Sequence, residues 1–229
     1  MIPPERDAAF VAAMEDVLDV YARPPDPKRP LVCLDEGGKE LQADVRPPRP
    51  AAPGRPARED PEYARHGMAN LFLAVAPHEG WRAVEVTERR TAGDFARFVR
   101  GLLDGPYRDA DGIVLVTDNL NTHRPASFYK TFPPAEARRL LAKIEWHFTP
   151  LHGSWLNAAE LELGALGRQC LARRFPAGAA LAAETAAWTH DRYEAGVRID
   201  WRFTTEDARA RLPFLYPILE QGNEPLTDH

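Results

Sequence analysis

Three acidic residues lie far apart in the sequence, at places where folding could bring them together. Asp35 ends the strand-like run LVCLDE, Asp118 follows the very apolar run 113–116, and Glu160 lies on the helix expected after the next strand. Hard divalent cations prefer carboxylate oxygens over nitrogen or sulfur. Three adjacent carboxylates would repel one another unless two cations, about 3.5 to 4 Å apart, neutralised them. The pattern therefore indicates metal-dependent phosphodiester chemistry on nucleic acid, with Mg²⁺ as the natural ion and Mn²⁺ as a substitute.

Each strand-end acid also has a simpler interpretation. Asp118 and Asn119 could merely begin a turn, because Asp and Asn side chains satisfy their own backbone there. Asp35 shares this ambiguity, and its neighbour Glu36 could take its place. Since successive strand side chains point to opposite faces, only one of Asp35 and Glu36 can face a common site.

The helix that carries Glu160 offers two candidate acids. At about 100° per residue, Glu160 and Glu162 fall on opposite sides of the apolar stripe, so periodicity does not choose between them. Glu160 shares its side with Gly164 and Gly167. Such small neighbours would leave room for a metal and a phosphate, so Glu160 is preferred, although an ordinary exposed glutamate is the alternative.

The elements that must position these acids are predicted from hydrophobic periodicity and turn residues. The predicted order is helix 10–21, strand 31–34, its hairpin partner 40–45 across Gly37 and Gly38, strands 70–75 and 82–87, helix 95–103 capped by Thr91 and Asp94, strand 113–116, helix 135–143, strand 144–149, helices 156–173 and 179–195, an extended segment 197–203 and helix 205–212. The segment 46–62, rich in proline and arginine, is too polar for a core and should project as an extended arm.

Hairpins make the first strands antiparallel, and crossover helices make the later strands parallel. The expected fold class is therefore α/β, a mixed sheet with helices on both faces. This order of elements matches the ribonuclease H-like fold. In open sheets of this kind a site collects near strand ends, where Asp35 and Asp118 are expected.

Composition limits the class of protein. The 229 residues fit one large domain, or one domain with a small appendage. No apolar run could span a bilayer, the N-terminus lacks a signal-peptide pattern, and only two cysteines are present, so we expect a cytoplasmic protein without disulfides.

The charge distribution is uneven. The net charge of −5 argues against nucleic-acid binding, because phosphate neutralisation dominates that affinity. Between Asp118 and Arg174, however, eight Lys or Arg stand against five acids, and the arm adds further arginines. A solvated surface is the alternative interpretation of such charge runs.

The stretch 113–174 resembles the core of the DDE endonuclease domain of bacterial insertion-sequence transposases related to the mariner group. The pieces that carry the resemblance are IVLVTDNLNTH, FTPLHGSWLNAAELEL and RQCLARR, with LVCLDE, PAAPGRPAR, ANLFLAV and WRAVEVTERRTAGDFA upstream and DWRFTTEDAR downstream. The resemblance covers nearly the whole chain. It implies that Asp35, Asp118 and Glu160 are the catalytic triad, which binds two Mg²⁺ or Mn²⁺ ions. The implied activity is cleavage of double-stranded DNA at transposon ends, followed by strand transfer.

The predictions also include residues that could orient the metal ligands, contact DNA phosphates or stack on a base. They are Glu36, Asn119, Asn121, His123, His152, Ser154, Trp155, Asn157, Arg55, Arg58 and Arg168. A structural, hydrogen-bonded histidine is the alternative for His123 and His152, and a core anchor is the alternative for Trp155.

The expected domains are an N-terminal helix and linker at 1–29, the catalytic core at 30–175 with its arm at 46–62, and a C-terminal helical extension at 176–229. Transposases of this group usually begin with helix-turn-helix modules, whereas this chain begins close to the catalytic core. The expected partners are therefore a separate helix-turn-helix polypeptide and a second copy of the chain on DNA, at the bacterial nucleoid.

Two departures from the group are visible. The 41-residue spacer between Asp118 and Glu160 is longer than in mariner relatives, and a surface helical insertion is expected to absorb it. Gly37 and Gly38 stand where relatives usually carry a hydroxyl residue. Two other interpretations therefore stay open: a cellular nuclease resembling ribonuclease H, and a catalytically silent remnant that binds DNA or a partner transposase subunit.

Overall fold

The computed structural model describes residues 7–47, 49–56 and 61–218, and a five-stranded sheet lies at their centre. The strands are β1 Leu31–Asp44, β2 Tyr63–Ala76, β3 Trp81–Thr87, β4 Ile113–Thr117 and β5 Ile144–Phe148. Their order in the sheet is β3-β2-β1-β4-β5. β2 runs antiparallel to β1 and β3, whereas β4 runs parallel to β1 and β5. The predicted mixed sheet is confirmed.

Helices cover both faces of this sheet, as predicted. They are α1 Ala8–Ala22, α2 Ala92–Asp104, α3 Pro125–Thr131, α4 Pro134–Leu141, α5 Ala158–Gln169, α6 Gly178–Glu194 and α7 Thr205–Arg211. Apolar side chains of α1, α5, α6 and α7 pack on one face, and those of α2, α3 and α4 pack on the other. Within the described part of the chain, none of these helices combines the length and apolar character that a membrane span requires.

The strand β1 corrects one prediction. Gly37 and Gly38 do not form a hairpin turn; they are extended and pair with Leu71 and Asn70 of β2. The segment expected as a hairpin partner is the second half of the same strand. A two-glycine turn would have ended the ladder early, whereas the extended chain continues to pair with β2 as far as Asp44.

The long spacer before Glu160 corrects a second prediction. It is helical, as expected, but it is not only a surface insertion. It forms α3 and α4, and Phe128 of α3 is completely buried, together with Ala137 and Leu140 of α4. These side chains complete the core beneath α2. The spacer is therefore part of the folded core.

Local signals at helix ends agree with the structure. Thr91 and Asp94 form the predicted capping box at the start of α2. Thr204 and Asp207 form another at the start of α7. The segment 197–203, expected to be extended, has no regular secondary structure.

Candidate active site

The register of the parallel strands brings the first two acids together. The parallel pairing of β1 with β4 ends at Leu34 and Thr117. Asp35 and Asp118 are the next residues on the two neighbouring strands. Alternation places Asp35 on the face that carries Cys33 and α5, and Asp118, one residue beyond β4, is close enough for its charge to raise the pKa of Asp35.

Asp35 is almost buried, with 7% of its surface exposed. The N–H of Glu36 donates to its Oδ1 at 2.7 Å, and the side-chain amide of Asn157 donates to its Oδ2 at 3.2 Å. Burial raises the pKa of Asp35 to about 7; the Glu36 N–H opposes this rise, and the charge of Asp118 and a hydrogen bond with Glu160 add to it. Asp35 is therefore within reach of both other acids.

Asp118 begins a turn, which is the simpler of the two roles that the sequence left open. Its Oδ1 accepts the N–H of Leu120 at 3.4 Å, which is the start of a turn. The same oxygen hydrogen-bonds with Nδ1 of His123, and 28% of the Asp118 side chain is exposed. The turn thus holds a half-exposed carboxylate beside Asp35.

The geometry distinguishes Glu160 from Glu162, which periodicity could not do. Glu160, in the first turn of α5, is exposed, and its carboxyl lies close enough to Asp35 to raise the pKa of that residue. Glu162 is 2% exposed and is paired with two arginines: Arg82 Nε of β3 lies 2.7 Å from its Oε1, and Arg192 of α6 donates at 2.7 and 3.1 Å. A carboxylate enclosed in this way joins α5 to β3 and α6. It has no room for a metal ion.

Asn157 fixes the start of α5 relative to β1. Its Oδ1 caps the helix by accepting the N–H of Ala159 at 3.0 Å. Its amide donates to the carbonyl of Leu34 and to Asp35. One completely buried side chain therefore connects the strand of Asp35 to the helix of Glu160.

Gly37 lies on the same face of β1 as Asp35, and α5 packs over this position. A Cβ atom there would lie 3.4 Å from Cδ2 of Leu163 on α5, which is close to ordinary van der Waals contact. The side chain of Leu163 therefore packs directly on this part of β1.

His123 links the opposite face of the sheet to the acids. Its Nε2 lies 2.8 Å from Glu36 Oε1, its Nδ1 contacts Asp118, and its ring lies 4.5 Å from that of Phe95. Burial lowers the pKa of His123, but hydrogen bonds with Asp118 and Glu36 outweigh it and raise the pKa to about 9. The imidazole is therefore a cation at neutral pH, held between two carboxylates.

The three acids have the oxygen donors that Mg²⁺ and Mn²⁺ prefer, and burial, followed by the charges of Asp118 and Glu160, raises the pKa of Asp35. Among the described residues, no group of three or more His, Cys, Asp or Glu side chains is already arranged to hold a metal ion. Asp118 is turned toward His123. The residues therefore fit a divalent cation in the type of their donor atoms.

The sequence of the chain matches a known protein family. Residues 30–182, more than half of the chain, match the family described as DDE superfamily endonuclease. The chain belongs to this family. No curated protein sequence matched the chain significantly.

Solved structures of Mos1 transposase share the fold of this DDE endonuclease chain. The Mos1 transposase paired-end complex with left transposon end has a TM-score of 0.57 at 15% identity, covering 86% of this chain and 60% of that one. The Mos1 mariner paired-end complex with Mn gives 0.54 at 17% identity with the same coverage, and the pre-cleavage Mos1 transpososome gives 0.56 at 15%, covering 96% and 67%. The chain thus spans about 60% of the length of the first two. The predicted ribonuclease H-like fold is confirmed.

The other predicted residues of the DDE endonuclease lie at different distances from the acids. Asn119 accepts a hydrogen bond from Arg124, and Asn121 and Ser154 are exposed. His152 is also exposed and has a left-handed backbone with φ 63°. His152 and Ser154 lie between β5 and α5, whereas Asn119 and Asn121 follow β4.

Three further predicted residues have distinct surroundings. Trp155 packs edge-on against Phe203, and its buried Nε1 has no partner among the described residues, which supports a packing role. Arg168 is exposed on the flank of α5 that carries Glu160; its guanidinium lies beside Gly164. Arg55 lies in a short turn of the arm, paired with Ala52, and Arg58 lies outside the described residues.

Tyr21 is a residue at this site that the sequence did not single out. It is the last residue of the helix predicted at 10–21. Its hydroxyl contacts the backbone on both sides of Asn157, at Leu156 and Ala158. Helical periodicity gives no signal for such a contact, because the partners are more than 130 residues away in the sequence.

Proposed function

We propose that this chain is the catalytic domain of a transposase that cleaves DNA at transposon ends and transfers the cut strand to target DNA. The observation that carries the proposal is the influence of Asp118 and Glu160 on the pKa of the buried Asp35, in a member of the DDE endonuclease family. Each acid comes from a different element, and Glu162, the competing glutamate, is enclosed by arginines.

Asp35, Asp118 and Glu160 are the residues that would hold two divalent cations. When bound, such ions supply charge neutralisation and polarise the attacking and leaving oxygens of a phosphodiester. The carboxylates themselves need no covalent step. A cation beside Asp35 would favour its ionised form, against the burial and the neighbouring carboxylate charges that raise its pKa.

Neighbouring side chains prepare these ligands. Asn157 holds Asp35 by one oxygen, so the carboxylate cannot rotate freely. His123 holds Asp118 near the end of β4 and, as a cation, offsets part of its charge. Arg168, on the flank of Glu160, is placed to contact a DNA phosphate.

Double-stranded DNA is the proposed substrate and partner. One Mos1 structure is a paired-end complex with left transposon end, and this chain shares its fold. We extend to this chain the binding of DNA and of two paired ends by a dimer. The separate helix-turn-helix polypeptide that would recognise the end sequence is proposed from the sequence resemblance alone. Use of Mg²⁺ or Mn²⁺, two ions per site, belongs to the same proposal.

A plasmid-nicking assay tests the activity. Wild type should convert supercoiled plasmid to nicked and linear forms with Mn²⁺ or Mg²⁺, and EDTA should abolish the conversion. Asp118→Asn should lose the activity, whereas Asp109→Asn, at a carboxylate that is 96% exposed and precedes the start of β4, should retain it. If wild type and Asp118→Asn behave alike with either metal, the enzyme proposal fails. DNA binding without cleavage would then favour the silent remnant.

A further inference from the structure

The hydroxyl of Tyr21 lies at the junction between β1 and the start of α5. It donates to the carbonyl of Leu156 at 2.8 Å and accepts the N–H of Ala158 at 3.0 Å. Its third contact is with Sγ of Cys33 at 3.4 Å. A hydroxyl has one donor and two acceptor positions, so all three are used. Burial raises the pKa of Tyr21 well above its usual range, which keeps the hydroxyl protonated and able to donate.

These contacts involve both elements that carry site acids. Cys33 precedes Asp35 by two residues on the same face of β1, and Ala158 precedes Glu160 by two residues in the first turn of α5. The N–H of Ala158 is one of the helix-start donors that no intrahelical carbonyl can satisfy. Asn157 satisfies the next one, at Ala159. Tyr21 therefore completes the capping of α5 from a different part of the chain.

The tyrosine is itself held by the C-terminal part of the chain. Its ring stacks on Trp201 at 4.5 Å, and the indole of Trp201 donates to the carbonyl of Phe203 at 2.9 Å. Thr205 donates to Asp19 of α1 at 2.7 Å. Tyr21, Trp201 and Thr205 all lie outside the segment 30–182 that matches the family. The features that fix α5 thus include segments on both sides of that match.

We propose that Tyr21 is a positioning residue, which fixes the first turn of α5 and so sets Glu160 against Asp35. The inference deepens the proposed function and rests on Glu160 being a metal ligand. Tyr21 does not touch a site acid. It acts through the backbone of residues 156–158.

The test compares Tyr21→Phe with two control variants. Tyr216→Phe removes a hydroxyl that donates to Glu15, on α1 but away from α5. Val17→Ala makes a cavity at a completely buried position of the same helix and destabilises its packing without removing a hydrogen bond. Binding of Mn²⁺ alone is measured by titration calorimetry, and amide exchange of residues 154–160 is followed by mass spectrometry.

Tyr21→Phe should weaken Mn²⁺ binding by about 3- to 10-fold, at or below the range for outer partners of metal ligands. It should also speed exchange in residues 154–160, and saturating Mn²⁺ should restore DNA cleavage. Tyr216→Phe and Val17→Ala should leave Mn²⁺ affinity within about twofold of wild type. Equal Mn²⁺ affinity and equal exchange in Tyr21→Phe and wild type would overturn the proposal. So would an equal loss of affinity in Val17→Ala, because general destabilisation would then explain it.

Failure of the proposed function gives a different result. Wild type would then bind no Mn²⁺, and the exchange data alone would decide whether Tyr21 fixes α5. If Tyr21→Phe does not fold, the amide of Ala158 in wild type provides the measurement. Strong protection of that amide supports the proposal, and exchange at the rate of an exposed amide refutes it.

Discussion

Replacing Asp35 by asparagine should change the stability of the protein in opposite directions at low and high pH. The pKa of Asp35 rises from 3.8 to about 7 in the folded protein, with burial as the main cause. The folded state therefore binds a proton that the unfolded state has lost. The stability that protonated Asp35 contributes is fully present below about pH 4 and is lost as pH rises through 7.

The size of the effect follows from this shift. A difference of about 3 pKa units, at about 1.4 kcal/mol each, removes about 4 kcal/mol from wild type by pH 8 in the absence of divalent cations. Asparagine avoids this loss. It keeps an oxygen for the Glu36 N–H, but its own amide would face the donor of Asn157, which costs about 1 kcal/mol. Asp35→Asn should thus be more stable than wild type by about 3 kcal/mol at pH 8 and less stable by about 1 kcal/mol at pH 4.

Urea denaturation at pH 4, 6 and 8, in EDTA, measures these differences. Asp109→Asn, at an exposed carboxylate, serves as the control and should differ little from wild type at every pH. Adding Mg²⁺ at pH 8 should stabilise wild type and leave Asp35→Asn unchanged. A stability difference between Asp35→Asn and wild type that stays constant from pH 4 to 8 would refute the reasoning, because the carboxyl would then not be crowded and buried.

Two further predictions use neighbouring residues. Glu160→Gln should reduce plasmid nicking by more than about 100-fold, beyond the range for outer partners of metal ligands, with little loss of stability, whereas Glu162→Gln should lower the free energy of unfolding by about 3 to 5 kcal/mol by breaking a buried ion pair. Nicking assays and urea denaturation separate the two variants. If both lose nicking equally under conditions in which both are folded, the assignment of Glu160 as the site glutamate is contradicted. His123→Ala should reduce nicking about 10- to 100-fold, because Asp118 loses its support, and should destabilise the protein by leaving Glu36 buried without its partner. Unchanged nicking would show that Asp118 does not depend on this contact.

Much of the fold follows from local sequence signals. The apolar stripe of α1, the capping box of Thr91 and Asp94, and the unbroken apolar run of β4 predicted their elements, since each depends on residues within a few positions. The hairpin turn predicted at Gly37 and Gly38 was wrong. A glycine pair is compatible with a turn or a strand, and only pairing with β2 selected the strand. The sequence also did not predict that α3 contributes to the core, since the residues that bury Phe128 are distant in the sequence.

The sequence by itself determined which residue types the site could contain: acids at strand ends, a helix with two glutamates, and a histidine six residues beyond β4. Only the tertiary structure decided which of them meet. The register of β1 with β4 put Asp35 beside Asp118. Ion pairs with the arginines of β3 and α6 engage Glu162, which leaves Glu160 as the candidate ligand. The contact between Tyr21 of α1 and the start of α5 was also visible only in the structure. The physical reason is range: helical and strand periodicity fixes the face on which a side chain lies, whereas hydrogen bonds and ion pairs between residues more than a hundred positions apart depend on how those faces pack.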